Sequence, residues 1–258
     1  MRIHHRFDGP SDAPVLALPS SLGTTTELWD PNVPAWSRSF RVLRFDQRGH
    51  GGSDVPRGPY AIEDLGRDFV SLLDELGIER VSFCGLSLGG ATAMWLAANL
   101  PGRIDSLVLA CTSARFGAPS TWLDRAAIVR DKGPGAIADT VLERWFTPQF
   151  ADERPEVVAR FRELLASTPS EGYAGCCEAV AGWDFRDGLG QIKAPTLVIA
   201  GAEDPAAPAD HTTLISDRIP DAKIVVLADA AHLANVEQAD AFSRAVVEHL
   251  TASMLEVA

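Results

Sequence analysis

The pentapeptide Gly85-Leu86-Ser87-Leu88-Gly89 sets one hydroxyl between two glycines, directly after the apolar run Val81-Ser82-Phe83-Cys84 and directly before the helix-forming run Ala91–Ala98. A strand that turns sharply into a helix forces the intervening serine into a crowded backbone conformation, and the glycines let neighbouring chain come close without a side-chain clash. The helix start also points free amide N–H groups at negative charge developing there. The chemistry expected is nucleophilic attack by Ser87 on an acyl carbon. A serine hydroxyl is a weak nucleophile near neutral pH, so it needs a base, itself oriented by a carboxylate.

Two later strand ends supply these partners. The apolar run Thr196–Ala200 reads as a buried strand that enters the turn Gly201-Ala202-Glu203-Asp204-Pro205, where Asp204 is the expected acid and Glu203 its adjacent alternative. The run Lys223–Leu227 reads as the next strand, and the loop Ala228-Asp229-Ala230-Ala231-His232 beyond it offers His232 as the base. Asp229, in that short loop, suits a turn. His50 follows the strand Arg41–Phe45, and its place before the serine favours a hydrogen-bonding role in building the loop. His4, His5, His211 and His249 read as surface residues. An oxyanion needs two amide donors, one from the residue after the nucleophile, Leu88, and one from a loop after an early strand. The loop Pro19-Ser20-Ser21-Leu22-Gly23-Thr24, after the strand Val15–Leu18, offers Ser21 first and Leu22 next, while Pro19 has no N–H to give.

The elements that must hold these residues alternate between strand and helix up to about residue 113, with a helix over Ile62–Leu76 and a strand over Ile104–Cys111. Such alternation implies an α/β fold with a mostly parallel central sheet flanked by helices. Strand signals stop from about 114 to 190, where Trp122–Arg130, Ala136–Trp145 and Pro155–Ala166 carry apolar residues at helical spacing. This segment reads as an inserted helical cap, leaving residues 1–113 and 191–258 as the core; an amphipathic helix over Ala239–Met254 closes the chain.

Composition agrees with an enzyme domain. The chain has 258 residues, 46% of them hydrophobic, enough to bury a substantial core. A net charge of −12 with no basic stripe disfavours nucleic acid. The N-terminus turns polar at once and no run of about 18 apolar residues occurs, so neither a membrane span nor a signal peptide is expected and the location expected is cytoplasmic. Cys84, Cys111, Cys176 and Cys177 lack paired metal-ligand spacing and read as free thiols. No metal or organic cofactor is expected.

With these residues in place the chain resembles the α/β-hydrolases, and more narrowly the 3-oxoadipate enol-lactonases. The narrower resemblance is carried by Ser21-Leu22-Gly23-Thr24, Arg41–Asp46 with Arg48-Gly49-His50-Gly51, Gly58-Pro59-Tyr60, Phe83–Ser87, Arg144-Trp145-Phe146-Thr147, and Glu171-Gly172-Tyr173 with Cys177-Glu178-Ala179. Methionine often follows the nucleophile in that family, and Leu88 stands there in this chain. The resemblance implies a small-molecule lactone that carries a carboxylate arm, opened through an acyl-enzyme. An acidic protein must present local positive charge to such a substrate. Arg144 is the first candidate, beside Trp145, with Arg115 and Arg125 behind it; Trp122, Trp145 and Trp183 are candidate pocket walls. The competing readings are solvated surface arginines and plain tryptophan packing. The same triad would also serve a general carboxylesterase, a cofactor-free perhydrolase or a small-molecule receptor that does not turn over.

Overall fold

We describe residues 1–257 of a computed structural model, with side chains as far as Leu255; residue 258 of the expected core lies outside the described residues. Among the described residues seven strands form one sheet: β1 (His5–Asp8), β2 (Val15–Pro19), β3 (Arg41–Phe45), β4 (Val81–Leu86), β5 (Ile104–Ala110), β6 (Thr196–Gly201) and β7 (Lys223–Leu227). Their spatial order is β1-β3-β2-β4-β5-β6-β7. β1 runs antiparallel to β3, and every other pairing is parallel. β4 and β6 are buried along their whole length, which their continuous apolar runs require in a sheet covered on both faces.

The first helices are α1 (Val33–Trp36), α2 (Ile62–Glu75) and α3 (Leu88–Asn99). Ile62, Leu65, Phe69, Leu72 and Leu73 recur at helical spacing and form the buried face of α2. Phe69 stacks on Phe45 at 4.9 Å and meets the edge of Phe83 at 5.0 Å, joining α2 to β3 and β4. Between β5 and β6 come α4 (Pro119–Lys132), α5 (Ala138–Trp145), α6 (Pro148–Glu153), α7 (Pro155–Ser167) and α8 (Ser170–Ala181), with no strand among the described residues. The C-terminal part adds α9 (Ala209–Arg218), α10 (Ala234–Glu237) and α11 (Ala239–Val257). β1, α1, α6, α8 and α10 were not expected individually from the sequence.

The helical segment from α4 to α8 is joined to the sheet side by specific contacts. Arg160 on α7 pairs with Glu27 at 2.5 Å, and Glu171 on α8 accepts the Gly58 amide at 2.8 Å. Gly49 and Gly172 meet backbone to backbone. A Cβ built on Gly172 would lie 2.0 Å from the Gly49 carbonyl oxygen, and Gly49 also has φ +77°. Among the described residues no helix is long and apolar enough to cross a membrane.

Candidate active site

The sheet order reverses between β2 and β4, since the chain runs outward from β2 to β3 on one side and to β4 on the other. In an open parallel sheet such a switch point leaves a crevice beyond the strand C-termini. The Ser20–Thr24 loop leaves β2 there, and Ser87 leaves β4.

Ser87 sits between β4 and α3 with φ 54° and ψ −114°, an uncommon conformation for a residue with a side chain. Its amide donates to Ala110 O at 2.9 Å, while its carbonyl accepts from Thr112 Oγ1 at 2.7 Å and from Ala91 N at 3.0 Å. Both sides of the residue are therefore held by neighbouring elements. The turn also demands glycine beneath it, because a Cβ on Gly85 would come within 2.3 Å of the Gly89 carbonyl oxygen.

Asp204 and His232 arrive from the ends of β6 and β7. Asp204 Oδ2 accepts His232 Nδ1–H at 2.8 Å, and the Asp204 side chain is fully buried. Oδ1 of the same carboxylate accepts the amides of Ala206 at 2.7 Å and Ala207 at 3.0 Å. Burial pushes the Asp204 carboxyl up, but electrostatic attraction and the hydrogen bond to the His232 ring together with the two amides outweigh it, leaving the carboxyl below its ordinary range. Glu203, the alternative acid, is exposed, and Asp229 is a turn residue with φ 52°. With Nδ1–H given to Asp204, Nε2 is the ring nitrogen of His232 without a hydrogen-bond partner among the described residues, and His232 and Ser87 both line the cleft. Among the described residues no hydrogen bond joins Ser87 Oγ to His232; such bonds often tighten only when substrate binds.

Ser21 is displaced as the expected oxyanion donor. Its amide hydrogen is given to Thr24 Oγ1 at 2.8 Å, closing a turn inside the loop, while Ser20 N donates to Phe45 O and Gly23 N to His50 Nε2. Among the described residues the Leu22 amide has no acceptor, and Leu22 lines the cleft. The available donor in this loop is therefore Leu22, alongside Leu88 at the start of α3. A hydroxyl three residues beyond Ser21 is the sequence signal that pointed to this turn.

His50 is buried and holds the same loop: Nε2 accepts Gly23 N–H at 3.0 Å, and Nδ1 donates to Arg48 O at 3.1 Å. Burial lowers its pKa from 6.5 to about 4. The unfolded chain therefore binds this proton more readily, so the contribution of neutral His50 to stability is complete above pH 6.5 and is lost as pH falls toward 4. The loss amounts to about 3 kcal/mol for this one group. Urea titrations at a series of pH values should show a shallower acid slope for His50→Gln than for wild type; equal slopes would refute the assignment. His249, expected at the surface, is buried instead, its Nε2 2.9 Å from Ser106 Oγ.

The helical segment covers the cleft. Trp122, Arg125, Arg144, Trp145 and Tyr173 line it from that side. Arg125 lies over the Trp122 ring at 4.7 Å and beside the buried Tyr173 hydroxyl. Neither Arg125 nor Arg144 forms an ion pair among the described residues, and no Asp or Glu lines the cleft. Arg115 does not line it; its guanidinium faces Asp184 at 3.9 Å. Trp183 lies outside it too, donating to Ser113 O at 3.0 Å and stacking on Phe185.

A sheet of this topology, with a serine on the β4–α3 turn and a carboxylate–imidazole pair beyond two later strands, defines the class. The chain belongs to the alpha/beta hydrolase fold family, which it matches over residues 14–239. Within that family it is 42% identical to 3-oxoadipate enol-lactonase 2 of Acinetobacter baylyi over 92% of this chain and 89% of the relative. It is also similar to the crystal structure of the enol-lactonase from Burkholderia xenovorans, with a TM-score of 0.95, 45% identity and 96% of each chain covered. A more distant likeness is to a thermophilic esterase from Thermogutta terrifontis solved with malate bound, with a TM-score of 0.91, 30% identity, and 97% of this chain and 93% of that one covered.

Proposed function

We propose that this protein is a serine hydrolase that opens the ring of 3-oxoadipate enol-lactone, with residues 114–190 acting as the cap that selects it. The observation that carries the substrate reading is the pair Arg125 and Arg144, two cations that, among the described residues, have no carboxylate partner and stand in a cleft lined by no acidic side chain, in a chain of net charge −12. Such a cleft suits an ester that brings its own carboxylate. The similarity to named enol-lactonases supports the same substrate.

In the proposed reaction Ser87 Oγ attacks the lactone carbonyl while its proton passes to His232 Nε2. Asp204 holds Nδ1–H and stabilises the imidazolium. The amides of Leu88 and Leu22 receive the negative charge of the tetrahedral intermediate. Collapse breaks the ring C–O bond and expels an enolate, a better leaving group than an ordinary alkoxide, which takes the proton and becomes a ketone. Water then attacks the acyl-enzyme, His232 accepts its proton and returns it to Ser87, and 3-oxoadipate leaves.

The test follows ultraviolet absorbance of freshly made enol-lactone against hydrolysis of an aryl acetate. Arg144→Met and Arg125→Met keep the apolar stems in place and remove the charge. Each is expected to lower kcat/KM for the lactone by about 10- to 100-fold, the worth of a charge-assisted hydrogen bond, with the acetate changed less than about threefold. Equal losses on both substrates would mean that the arginines do not read a carboxylate. Turnover of the acetate but not the lactone would move the assignment to a general esterase.

A further inference from the structure

His232 is bracketed by contacts that the reaction itself does not require. Glu237, the last residue of α10, is a half-buried carboxylate with no ion pair among the described residues. Its Oε2 accepts the Ala231 amide at 2.5 Å, immediately before His232. Its Oε1 accepts both the amide and the hydroxyl of Thr147, at 2.8 and 2.9 Å, in the turn between α5 and α6. On the other side of the histidine, Leu233 N donates to Trp145 O at 2.9 Å. Residues 231 and 233 are thus tied to residues 147 and 145, and Trp145 is a wall of the cleft.

We infer that Glu237 is a positioning residue: its carboxylate fastens the main chain beside His232 to the α5–α6 turn, so that the reach of the imidazole toward Ser87 depends on the cap being seated. A carboxylate is suited to this because all three of its partners donate. An amide in its place must turn its NH₂ toward either Ala231 N–H or the Thr147 pair, leaving a donor facing a donor. The inference rests on the Ser87–His232 reading above.

The experiment compares wild type, Glu237→Gln, Thr147→Val and Ser87→Ala on the enol-lactone and on an aryl acetate. It adds the rate at which a small organophosphonate labels Ser87, a step that needs the base and makes no demand on the lactone's carboxylate. Glu237→Gln is expected to lower kcat about tenfold or more on both substrates with KM within about threefold, and to slow phosphonate labelling by the same factor, since a misplacement near 1 Å costs up to about 100-fold. Thr147→Val removes one of the three bonds without leaving the charge unpaired, and is expected to give a smaller loss in the same direction. It serves alone if Glu237→Gln does not fold. The double variant should lose little more than Glu237→Gln alone. Unchanged kcat and labelling in Glu237→Gln, or in Thr147→Val if that is the one that folds, overturn the inference, as does a fall in melting temperature with normal kcat. Full activity in Ser87→Ala overturns the underlying reading instead, which keeps the two failures apart.

Discussion

Asp204→Asn is expected to reduce kcat about 10⁴-fold on lactone or ester while leaving the fold intact. The size follows from which way the new amide must point. Oδ1 of Asp204 accepts two backbone amides, from Ala206 and Ala207, whereas Oδ2 meets, among the described residues, only His232 Nδ1. An NH₂ group turned toward the two amides would set donors against donors, so the asparagine oxygen stays there and its NH₂ faces the imidazole. Nδ1 must then be the unprotonated nitrogen, and the proton moves to Nε2, where it blocks acceptance of the Ser87 proton. Steady-state turnover, with circular dichroism to verify the fold, measures this. A loss below about tenfold would transfer the acid's role away from Asp204, and Glu203→Gln would be the next variant to assay.

Replacing the nucleophile separates chemistry from strain. Ser87→Ala and Ser87→Gly should both lower kcat by 10⁴-fold or more, leaving only what the amides and the cleft supply. Their stabilities should differ. The φ of 54° and ψ of −114° at this position cost a residue with a Cβ roughly 1–3 kcal/mol, a cost that alanine retains and glycine escapes. Glycine forfeits part of the gain to its more disordered unfolded chain, roughly 0.5–1 kcal/mol. Urea unfolding should therefore find Ser87→Gly more stable than Ser87→Ala by about 1 kcal/mol. Equal midpoints would mean that the turn stores no strain.

Convergence of Ser87, Asp204 and His232 was legible because each lies a fixed step beyond an apolar strand, and parallel strands bring such steps to one end of the sheet. The serine turn could be read from its glycines. The choice between Ser21 and Leu22 could not, because both offer an amide and only the neighbouring Thr24 hydroxyl decides which is occupied. β1 escaped notice because His5-Arg6-Phe7-Asp8 is short, polar and at the sheet edge, with no buried face to impose a pattern. α8 contains Gly172 and Gly175, which argue against a helix by propensity. Their reason is tertiary, since a Cβ on Gly175 would meet the Tyr60 ring at 2.6 Å. Among the arginines, spacing could not tell Arg125, which turns into the cleft, from Arg115, which turns to Asp184. Glu237 carried a signal that was passed over: a single charge after the apolar stretch Ala230–Val236, which His232 and Asn235 alone interrupt.

The backbone contact between Gly49 and Gly172 bears on how such a protein can change over generations. Neither residue has a side chain that could rotate to admit a neighbour's, so a mutation at one is not rescued by adjusting the other. Contacts between side chains can be kept by paired, compensating replacements, and this backbone contact offers no such route. Remodelling of the helices for a new substrate is expected to leave this pivot in place. A chimaera that imports foreign helices over this sheet inherits the same demand for a glycine opposite Gly49.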